Sequence, residues 1–307
     1  MRLRFALLAS VVTTLLVAAA PGIATAAPRH NHGLTINATP NPIVAGQGVL
    51  IYGQLKGSPV QGQPILLYHR VGRQSPLEVD LDPVLFEEQM AALSASGLVV
   101  PLADALHHLT VPPAPAESRV VVTFDDGTTD FADVALPIMV RHRVPATLYL
   151  ATAFVEEGRN FPDNGRPLSW AALRDACATG LVDVGSHTHT HRLLDRLPGR
   201  DVADELDRSI GLICERLGRA PVDFAYPKAV MGSPDAATEV RRRFRSAAIA
   251  GTRTNPYGRS DLYRLGRSPI QMSDGMRWFE QKAAGGMALE GTARRWVDRV
   301  RYARSPS

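Results

Sequence analysis

The chain has 307 residues, which is enough for one large domain or two smaller ones. Hydrophobic residues make up 45% of it and charged residues 21%, the proportions of an ordinary globular protein that can bury a sizeable core. Loss of an N-terminal segment containing Arg2 and Arg4 would take the formal charge from +4 to +2, which argues against a nucleic-acid-binding protein.

The first 26 residues have the three parts of a secretory signal peptide. Met1-Arg-Leu-Arg4 is basic, residues 5–20 are apolar, and Ala24-Thr-Ala26 supplies small residues for a cleavage site. We therefore expect residues 1–26 to be removed on export, and the mature protein to be secreted or cell-wall associated, without a membrane span. The alternative is an uncleaved membrane anchor, for which the apolar run is short.

Export would place both cysteines, Cys177 and Cys214, in a compartment where disulfides persist. Both lie in predicted helices that could be neighbours, so a disulfide and two buried free thiols are both open. Neither cysteine has metal-ligand spacing, and we assign them no catalytic role.

Residues 27–62 form a short β-rich segment. The pattern predicts strands at Leu34–Ala38 and Gly48–Leu55, separated by Pro, Gly and Asn turns. The run Thr39-Pro-Asn-Pro-Ile-Val-Ala-Gly46 resembles the opening of bacterial immunoglobulin-like modules, although roughly 35 residues are too few for a complete sandwich. We expect either a partial β appendage or an extended linker.

Strand and helix patterns alternate between residues 63 and 275, which predicts a parallel sheet, open or closed into a barrel. Asp82 with Pro83 begins a helix that ends at Gly97, and Ser169 begins another that ends at Gly180. The other predicted elements are strands at Gln63–Tyr68, Leu98–Leu102, Ala146–Ala151, Leu181–Gly185, Phe224–Pro227 and Ser246–Ala250, and helices at Ala103–Leu109, Leu136–His142 and Asp201–Leu217.

Residues 276–307 are expected to be a basic helical extension of this domain. Arg294 to Arg304 carries several arginines in a helix-like pattern. Such a helix could touch an anionic wall polymer, or its charges could simply face solvent.

Two adjacent carboxylates end the most apolar predicted strand. Arg119-Val-Val-Val-Thr-Phe124 leads directly into Asp125, Asp126 and Gly127. The carboxyl end of a buried strand is where α/β sheets and barrels keep their chemistry. Side-by-side aspartates repel each other unless a cation or a proton lies between them. We interpret one as a metal ligand and the other as a general base.

Three histidines alternate in Ser186-His-Thr-His-Thr-His191. His187 and His191 are four residues apart, a spacing that would put both imidazoles on one side of a helical turn, with His189 facing elsewhere. Together with Asp126 they would form a metal site of two histidines and one carboxylate. The alternative is a surface His-Thr repeat that binds no ligand.

The aspartate and histidine motifs together resemble those of the polysaccharide deacetylases of the NodB-homology, or carbohydrate esterase 4, type. The resemblance covers about Pro64 to Arg267 and implies an irregular (β/α) barrel with parallel strands. It also implies roles for the motif residues: Asp126, His187 and His191 hold one divalent metal, usually zinc, and Asp125 is the general base.

A third motif, Phe224-Ala-Tyr-Pro-Lys-Ala229, is similar to one in which a backbone N–H helps to bind the oxyanion. The matching N–H here belongs to Lys228, and a backbone donor survives the change of side chain from the family's Tyr. Some members carry at the position of Ala225 an arginine that tunes the base. Arg264 and Arg267 are candidates to replace it.

The family's general acid is a histidine in a Leu-x-His motif, normally near the C-terminus. No such motif follows Tyr226, whereas Leu67-Tyr-His69 matches it. This resembles an exported subgroup in which the motif is permuted to the N-terminal side, and it implies that His69 protonates the leaving sugar amine. The alternative is a structural histidine in the immunoglobulin-like stretch.

These resemblances imply an exported, monomeric, metal-dependent N-deacetylase. Its substrate would be a polysaccharide bearing N-acetyl groups, such as peptidoglycan or an exopolysaccharide. A catalytically silent carbohydrate-binding protein on the same fold is the main alternative, and a hydrolase with another ester or amide substrate is a third. An adhesive wall protein led by the immunoglobulin-like stretch fails on length. The sequence leaves the polymer and the acetyl position open.

Overall fold

A computed structural model describes residues 33–39 and 50–56 as backbone, and residues 62–112, 118–252 and 254–286 with their side chains. The predicted signal peptide and the basic stretch Arg294 to Arg304 lie outside the described residues. The chain divides into two compact units between Ser58 and Pro59.

The first unit contains an antiparallel hairpin. Strand β1 (Gly33–Thr39) pairs with β2 (Leu50–Lys56), with Leu34 opposite Leu55. Both strands lie where the alternating pattern predicted them.

The second unit consists of short strands and helices that alternate. Its strands are β3 (Gly62–Gln63), β4 (Ile65–Tyr68), β5 (Arg70–Val71), β6 (Asp80–Leu81), β7 (Val121–Asp126), β8 (Ala146–Leu150), β9 (Val182–Ser186), β10 (Asp223–Ala225), β11 (Ser246–Ala250), β12 (Asn255–Pro256) and β13 (Leu265–Pro269). Its helices are α1 (Pro83–Ser96), α2 (Leu102–Thr110), α3 (Leu136–His142), α4 (Thr152–Glu157), α5 (Trp170–Ala178), α6 (Gly199–Leu217), α7 (Pro234–Arg243) and α8 (Gly275–Ala283). Within the described ranges, no helix combines the length and the apolar character needed to span a membrane.

Seven of these strands close into a barrel in which every neighbouring pair is parallel. Around the barrel the strands follow in chain order, β4-β7-β8-β9-β10-β11-β13, and the first strand closes on the last. The predicted parallel (β/α) barrel is confirmed. Because all seven strands run the same way, their carboxyl ends meet at one face, where such barrels place their reacting groups.

The main core lies between the barrel and the helices packed around it. The ring of Phe124 on β7 lies 5.3 Å from that of Tyr68 on β4, 5.9 Å from Phe86 and 4.9 Å from Phe131, measured between centroids. All four side chains are buried, which stabilises the fold by about 1.5–3 kcal/mol for a ring such as Phe. These contacts hold β4 and β7 against each other, so the residues that follow them are held in place too.

The predicted helix starts are confirmed by their capping contacts. Asp82 accepts a hydrogen bond from the N–H of Val84 at 2.8 Å, and α1 ends at Gly97 with a φ of 63°. Ser169 caps α5 in the same way by accepting from the N–H of Ala172 at 3.1 Å.

The sequence patterns predicted one strand wrongly and missed several other elements. The predicted strand Leu98–Leu102 is reduced to a single bridge between Val99 and Val120. Strand β13 was not predicted, because Gly266 and the polar pair that follows it interrupt the apolar pattern. Helices α4 and α7 were also missed, since one is very short and the other is mostly charged.

The two cysteines are free thiols. Cys177 is half-buried, and burial raises the pKa of its thiol. Cys214 is exposed. The cysteines are therefore neither joined in a disulfide nor both buried, so both alternatives left open by the sequence are wrong.

Gly185, near the end of β9, has no room for a side chain. A Cβ there would lie 2.5 Å from Cδ1 of Tyr149 and 2.9 Å from the carbonyl oxygen of Asp223. We expect Gly185→Ala to lower the free energy of unfolding by about 1–3 kcal/mol, as overpacking does. Urea denaturation measures this, with Gly211→Ala as the control. Gly211 lies in α6 with open space around it, so that variant should gain stability, and equal behaviour of the two would contradict the prediction.

Candidate metal centre and reaction site

The adjacent carboxylates at the end of β7 are aimed by a break in the strand geometry. Val122 and Phe124 face the main core outside the barrel, and Asp125, on the alternate side, is 3% exposed. Strand alternation would send Asp126 outward with Phe124. Instead Asp126 has a φ of 78° and Gly127 a φ of 99°, so the chain turns sharply there. A left-handed non-glycine residue costs about 1–2 kcal/mol, and such strain is concentrated at functional sites.

The histidine motif follows β9 as an irregular turn. The helical turn predicted from the spacing of His187 and His191 is wrong. Thr188 and His191 instead have φ values of 65° and 62°, and the two imidazole centroids lie 4.9 Å apart. His189 faces away, as predicted, with its Nδ1 3.0 Å from the hydroxyl of Thr152.

Asp126, His187 and His191 come together as a group that could hold a metal ion. Their ligand atoms all lie within 4.8 Å of one another. Oδ1 of Asp126 is 3.3 Å from Nε2 of His191 and 3.7 Å from Nε2 of His187. Ligand atoms about 2.0–2.2 Å from a tetrahedral zinc ion would be roughly 3.3–3.5 Å apart, so the spacing fits.

The orientation of His187 and the protonation of His191 also fit metal binding. Nδ1 of His187 lies 2.8 Å from the carbonyl oxygen of Ala225, which can only accept, so this nitrogen donates and Nε2 is the ring atom that faces Asp126. Burial, against the opposing charge of Asp126, lowers the pKa of His191 to about 4. The His191 ring is therefore in the neutral form that metal binding requires.

Asp125 is held in its ionised form by a buried arginine. Nη1 and Nη2 of Arg267 donate to its two carboxylate oxygens at 2.6 and 2.8 Å, and Arg267 is 0% exposed. Burial by itself would raise the pKa of Asp125, but the charge of Arg267, assisted by His187, overrides it and lowers the pKa to about 2. Of the two candidate arginines, Arg267 contacts Asp125, whereas Arg264 is exposed.

The remaining predicted site residues lie at the same face of the barrel. His69 follows β4 and is level with Asp125, because Tyr68 pairs with Phe124. Nδ1 of His69 is buried and has no hydrogen-bond partner among the described residues. Lys228 follows β10 with a φ of 51° and an exposed side chain, and its charge contributes to the low pKa of His191.

Glu205 is a site residue that was missed in the sequence. Its carboxylate on α6 accepts hydrogen bonds from the N–H of His189 at 3.1 Å, and from the N–H and the hydroxyl of Thr190 at 2.8 and 2.6 Å. Glu205 thus anchors the turn that carries His191. The available signal was a carboxylate on the buried face of the amphipathic helix, beside Val202 and Leu206.

Glu205→Gln should weaken metal binding by about 10- to 100-fold, the usual effect of losing a supporting contact around a metal site. Gln has no negative charge, so the charge-assisted hydrogen bonds from the N–H groups of His189 and Thr190 become weaker neutral ones. Titration of the ion against a competing chelator measures the affinity. Glu215→Gln, an exposed change on the same helix, is the control. Equal affinities for the two variants would show that Glu205 does not position the turn.

Known proteins share the fold, and part of the barrel matches a family model. Residues 113–243, less than half of the chain, match the family model described as Polysaccharide deacetylase. This part of the barrel therefore resembles the polysaccharide deacetylase family. Members of this family are hydrolases that act on carbon–nitrogen bonds and are generally metal-dependent. Within the described part of this barrel, the group of Asp126, His187 and His191 is the site that could hold a metal.

Individual relatives agree with this assignment. The chain is 25% identical over 165 residues to YxkH of Bacillus subtilis (strain 168), which carries a polysaccharide deacetylase name; the match covers 53% of this chain and only 56% of that protein. The barrel superposes on IcaB from Ammonifex degensii with a TM-score of 0.62 at 25% identity, covering 73% of this chain and 97% of that one. The deacetylase PplD of Streptococcus pyogenes, solved in complex with acetate, has a TM-score of 0.64 at 22% identity. The match covers 74% of this chain and 99% of that one, and it supports the fold.

Proposed function

We propose that this protein is an exported, monomeric, metal-dependent N-deacetylase that hydrolyses acetamide groups of an amino-sugar polymer such as peptidoglycan or an exopolysaccharide. The observation that carries the proposal is an ionised carboxylate, that of Asp125, beside a three-ligand group. Its Oδ2 lies 3.7 Å from Nε2 of His187. Metal-assisted hydrolysis needs a proton acceptor beside the metal ligands. We propose zinc as the ion, since two imidazoles and one carboxylate are a common zinc donor set.

The proposed reaction divides the proton transfers and charge stabilisation among residues of three strands. Asp125 accepts a proton from the attacking water, and the backbone N–H of Lys228 donates to the developing oxyanion. His69 then donates a proton to the leaving sugar amine. A divalent ion, when bound, polarises the acetamide carbonyl and makes water more acidic. The products are acetate and a free amino sugar.

Release of acetate from defined N-acetylated oligosaccharides tests this function. Protein stripped with a chelator should release none, and reloading with zinc or another divalent ion should restore the activity. Comparing reloaded forms at equal occupancy identifies the ion that supports the highest kcat. Acetate release that persists in the stripped protein would contradict a metal-dependent reaction, and tight polymer binding without release would favour the silent carbohydrate-binding protein.

The variant His69→Gln tests whether His69 is the general acid or a structural residue. We expect kcat on an acetamide substrate to fall by about 10²- to 10⁴-fold, because the amine leaves only if it is protonated. Hydrolysis of a nitrophenyl ester, whose leaving group needs no proton, should change far less. His107→Gln, an exposed change on α2, is the control. Equal losses on both substrates would return His69 to a structural role.

We also propose that residues 1–26 direct export and are then cleaved. The basic start, the apolar run and the small residues before residue 27 support this. N-terminal sequencing of the protein recovered outside the cell should begin at residue 27. Retention of the full chain in the membrane would support an uncleaved anchor instead.

A further inference from the structure

A polar cavity of about 70 Å³ lies at the carboxyl face of the barrel, apart from the three-ligand group. Each wall comes from a different loop. Its side chains are supplied by Arg70, Asp80, Asp130, Asp163, Asn164 and Arg166. None of these residues has a role in the reaction proposed above.

The cavity is close enough to the reaction site for one polymer chain to reach both. Arg70 directly follows His69. Asp130 is four residues beyond Asp126, so their Cα atoms are at most about 14 Å apart. The wall formed by residues 163–166 is joined to the segment that follows β7, because the N–H of Thr129 donates to the carbonyl oxygen of Arg166 at 2.8 Å.

A buried arginine, Arg70, holds one wall of the cavity through hydrogen bonds. Arg70 is 8% exposed, and its guanidinium donates to the carbonyl oxygens of Pro162 and Asp163 at 2.6 and 2.9 Å. It packs so closely on the chain that a Cβ at Gly165 would overlap it. Within the described ranges this guanidinium has no carboxylate in ion-pair contact. Its two hydrogen bonds therefore hold the loop at the point where it meets the cavity.

The loop presents polar side chains from an unusual backbone conformation. Asp163 and Asn164 are consecutive left-handed residues with φ values of 55° and 57°, and both side chains are exposed. Asp and Asn tolerate this conformation better than other residues, but it still costs free energy. The braced loop thus presents an amide and a carboxylate at the rim.

The charges around the cavity favour a neutral ligand. Arg70 and Arg166 would repel a metal cation, and the three carboxylates would repel a simple anion. Asp80 and Asp130 already accept hydrogen bonds from backbone N–H groups. The exposed side chains at the rim are those of Asp163, Asn164 and Arg166, and they provide a carboxylate, an amide and a guanidinium side by side as acceptors and donors. A ligand with many hydroxyl groups, each able to donate and accept, satisfies both kinds.

We propose that this cavity is the subsite for a neutral sugar unit next to the unit that is deacetylated. The inference rests on the proposed function and adds to it that the protein selects a polymer over a single sugar through this loop. The side chain of Arg166 is exposed at the rim, where it donates to the hydroxyl groups of that unit. The reaction itself does not need it.

Arg166→Ala tests the subsite because the contact with Thr129 uses only the backbone of Arg166 and survives the change. We expect KM for an N-acetylglucosamine pentasaccharide to rise about tenfold, the effect of losing a hydrogen bond to a charged group. Kinetics on the N-acetylglucosamine monosaccharide should be unchanged. Asn164→Gly deletes the amide without straining the left-handed backbone and should act in the same direction.

Arg242→Ala is the matched control, since Arg242 is an exposed arginine with one ion pair, at the end of α7 that leads into the opposite face of the barrel. This variant should leave the kinetics on both the pentasaccharide and the monosaccharide unchanged. Equal effects of Arg166→Ala on the monosaccharide and the pentasaccharide, or no effect on either, would overturn the subsite.

A binding measurement distinguishes failure of the subsite from failure of the proposed function. Calorimetric titration of the metal-stripped protein with the pentasaccharide does not depend on turnover. Weaker binding by Arg166→Ala than by the parent supports the subsite even if no acetate is ever released, and equal binding rejects it.

Discussion

Asp125→Asn should lower kcat for acetate release by about 10²- to 10⁴-fold, the usual contribution of a positioned general base. Asn has nearly the same shape as Asp but cannot take a proton from water at neutral pH. The other carboxylate nearby, that of Asp126, is engaged with His187 and His191 and does not replace it. Because the change acts on the chemical step, KM should change much less than kcat in steady-state kinetics.

A second aspartate–arginine pair in the barrel provides the control for Asp125→Asn. The buried carboxylate of Asp223 accepts hydrogen bonds from Nε and Nη2 of Arg245 at 3.0 and 2.8 Å, a two-bond contact like the one between Asp125 and Arg267. It begins β10, so it lies at the opposite end of the barrel from the reaction site.

Both variants should lose stability in urea, but only Asp125→Asn should lose kcat. Breaking a fully buried pair by removing one partner costs about 3–5 kcal/mol. Asp223→Asn should cost less, because Arg245 is half-exposed. A metal-loaded Asp125→Asn protein with the parent kcat would exclude Asp125 as the base.

The place of the chemistry along the chain could be predicted because its signals are local. An apolar strand that ends in two carboxylates and a glycine needs no knowledge of distant residues, and β7 ends at Asp126 as expected. The caps at Asp82 and Ser169 are equally local, since each bonds to a backbone N–H within three residues. The alternation of such units is enough to predict a parallel sheet, and the closed barrel was implied by the family resemblance.

The geometry of the site could not be predicted because it depends on contacts between distant residues. His187 and His191 converge through left-handed backbone, which is stabilised by Glu205 from the next helix and not by their spacing. Arg267 reaches Asp125 from a strand that has no apolar signature, 142 residues further along the chain. The sequence offered Arg264 and Arg267 as equals, and only the register of β13 against its neighbours distinguishes them.

Arg267→Gln should reverse the way in which stability depends on pH. In the parent, the pKa of Asp125 is about 2, below the value of about 3.9 in an unfolded chain. This shift contributes about 2–3 kcal/mol at neutral pH, fully present above pH 4 and lost as the pH falls through 2. Without Arg267, burial is the largest influence left and raises the pKa of Asp125. The variant should then lose stability as the pH rises from 4 through its new pKa.

Urea denaturation of the metal-stripped protein from pH 3 to 8 measures this reversal, and the same shift should appear in kcat. A protonated Asp125 cannot act as a base, so the rise of kcat with pH should lie at a higher pH in Arg267→Gln than in the parent. Arg245→Gln removes the partner of Asp223 and should lower stability without changing the pH profile of kcat. Since the pairing of Arg267 with Asp125 is what keeps a deeply buried carboxylate ionised, an unchanged profile in Arg267→Gln would mean that Asp125 is not the group that takes the proton.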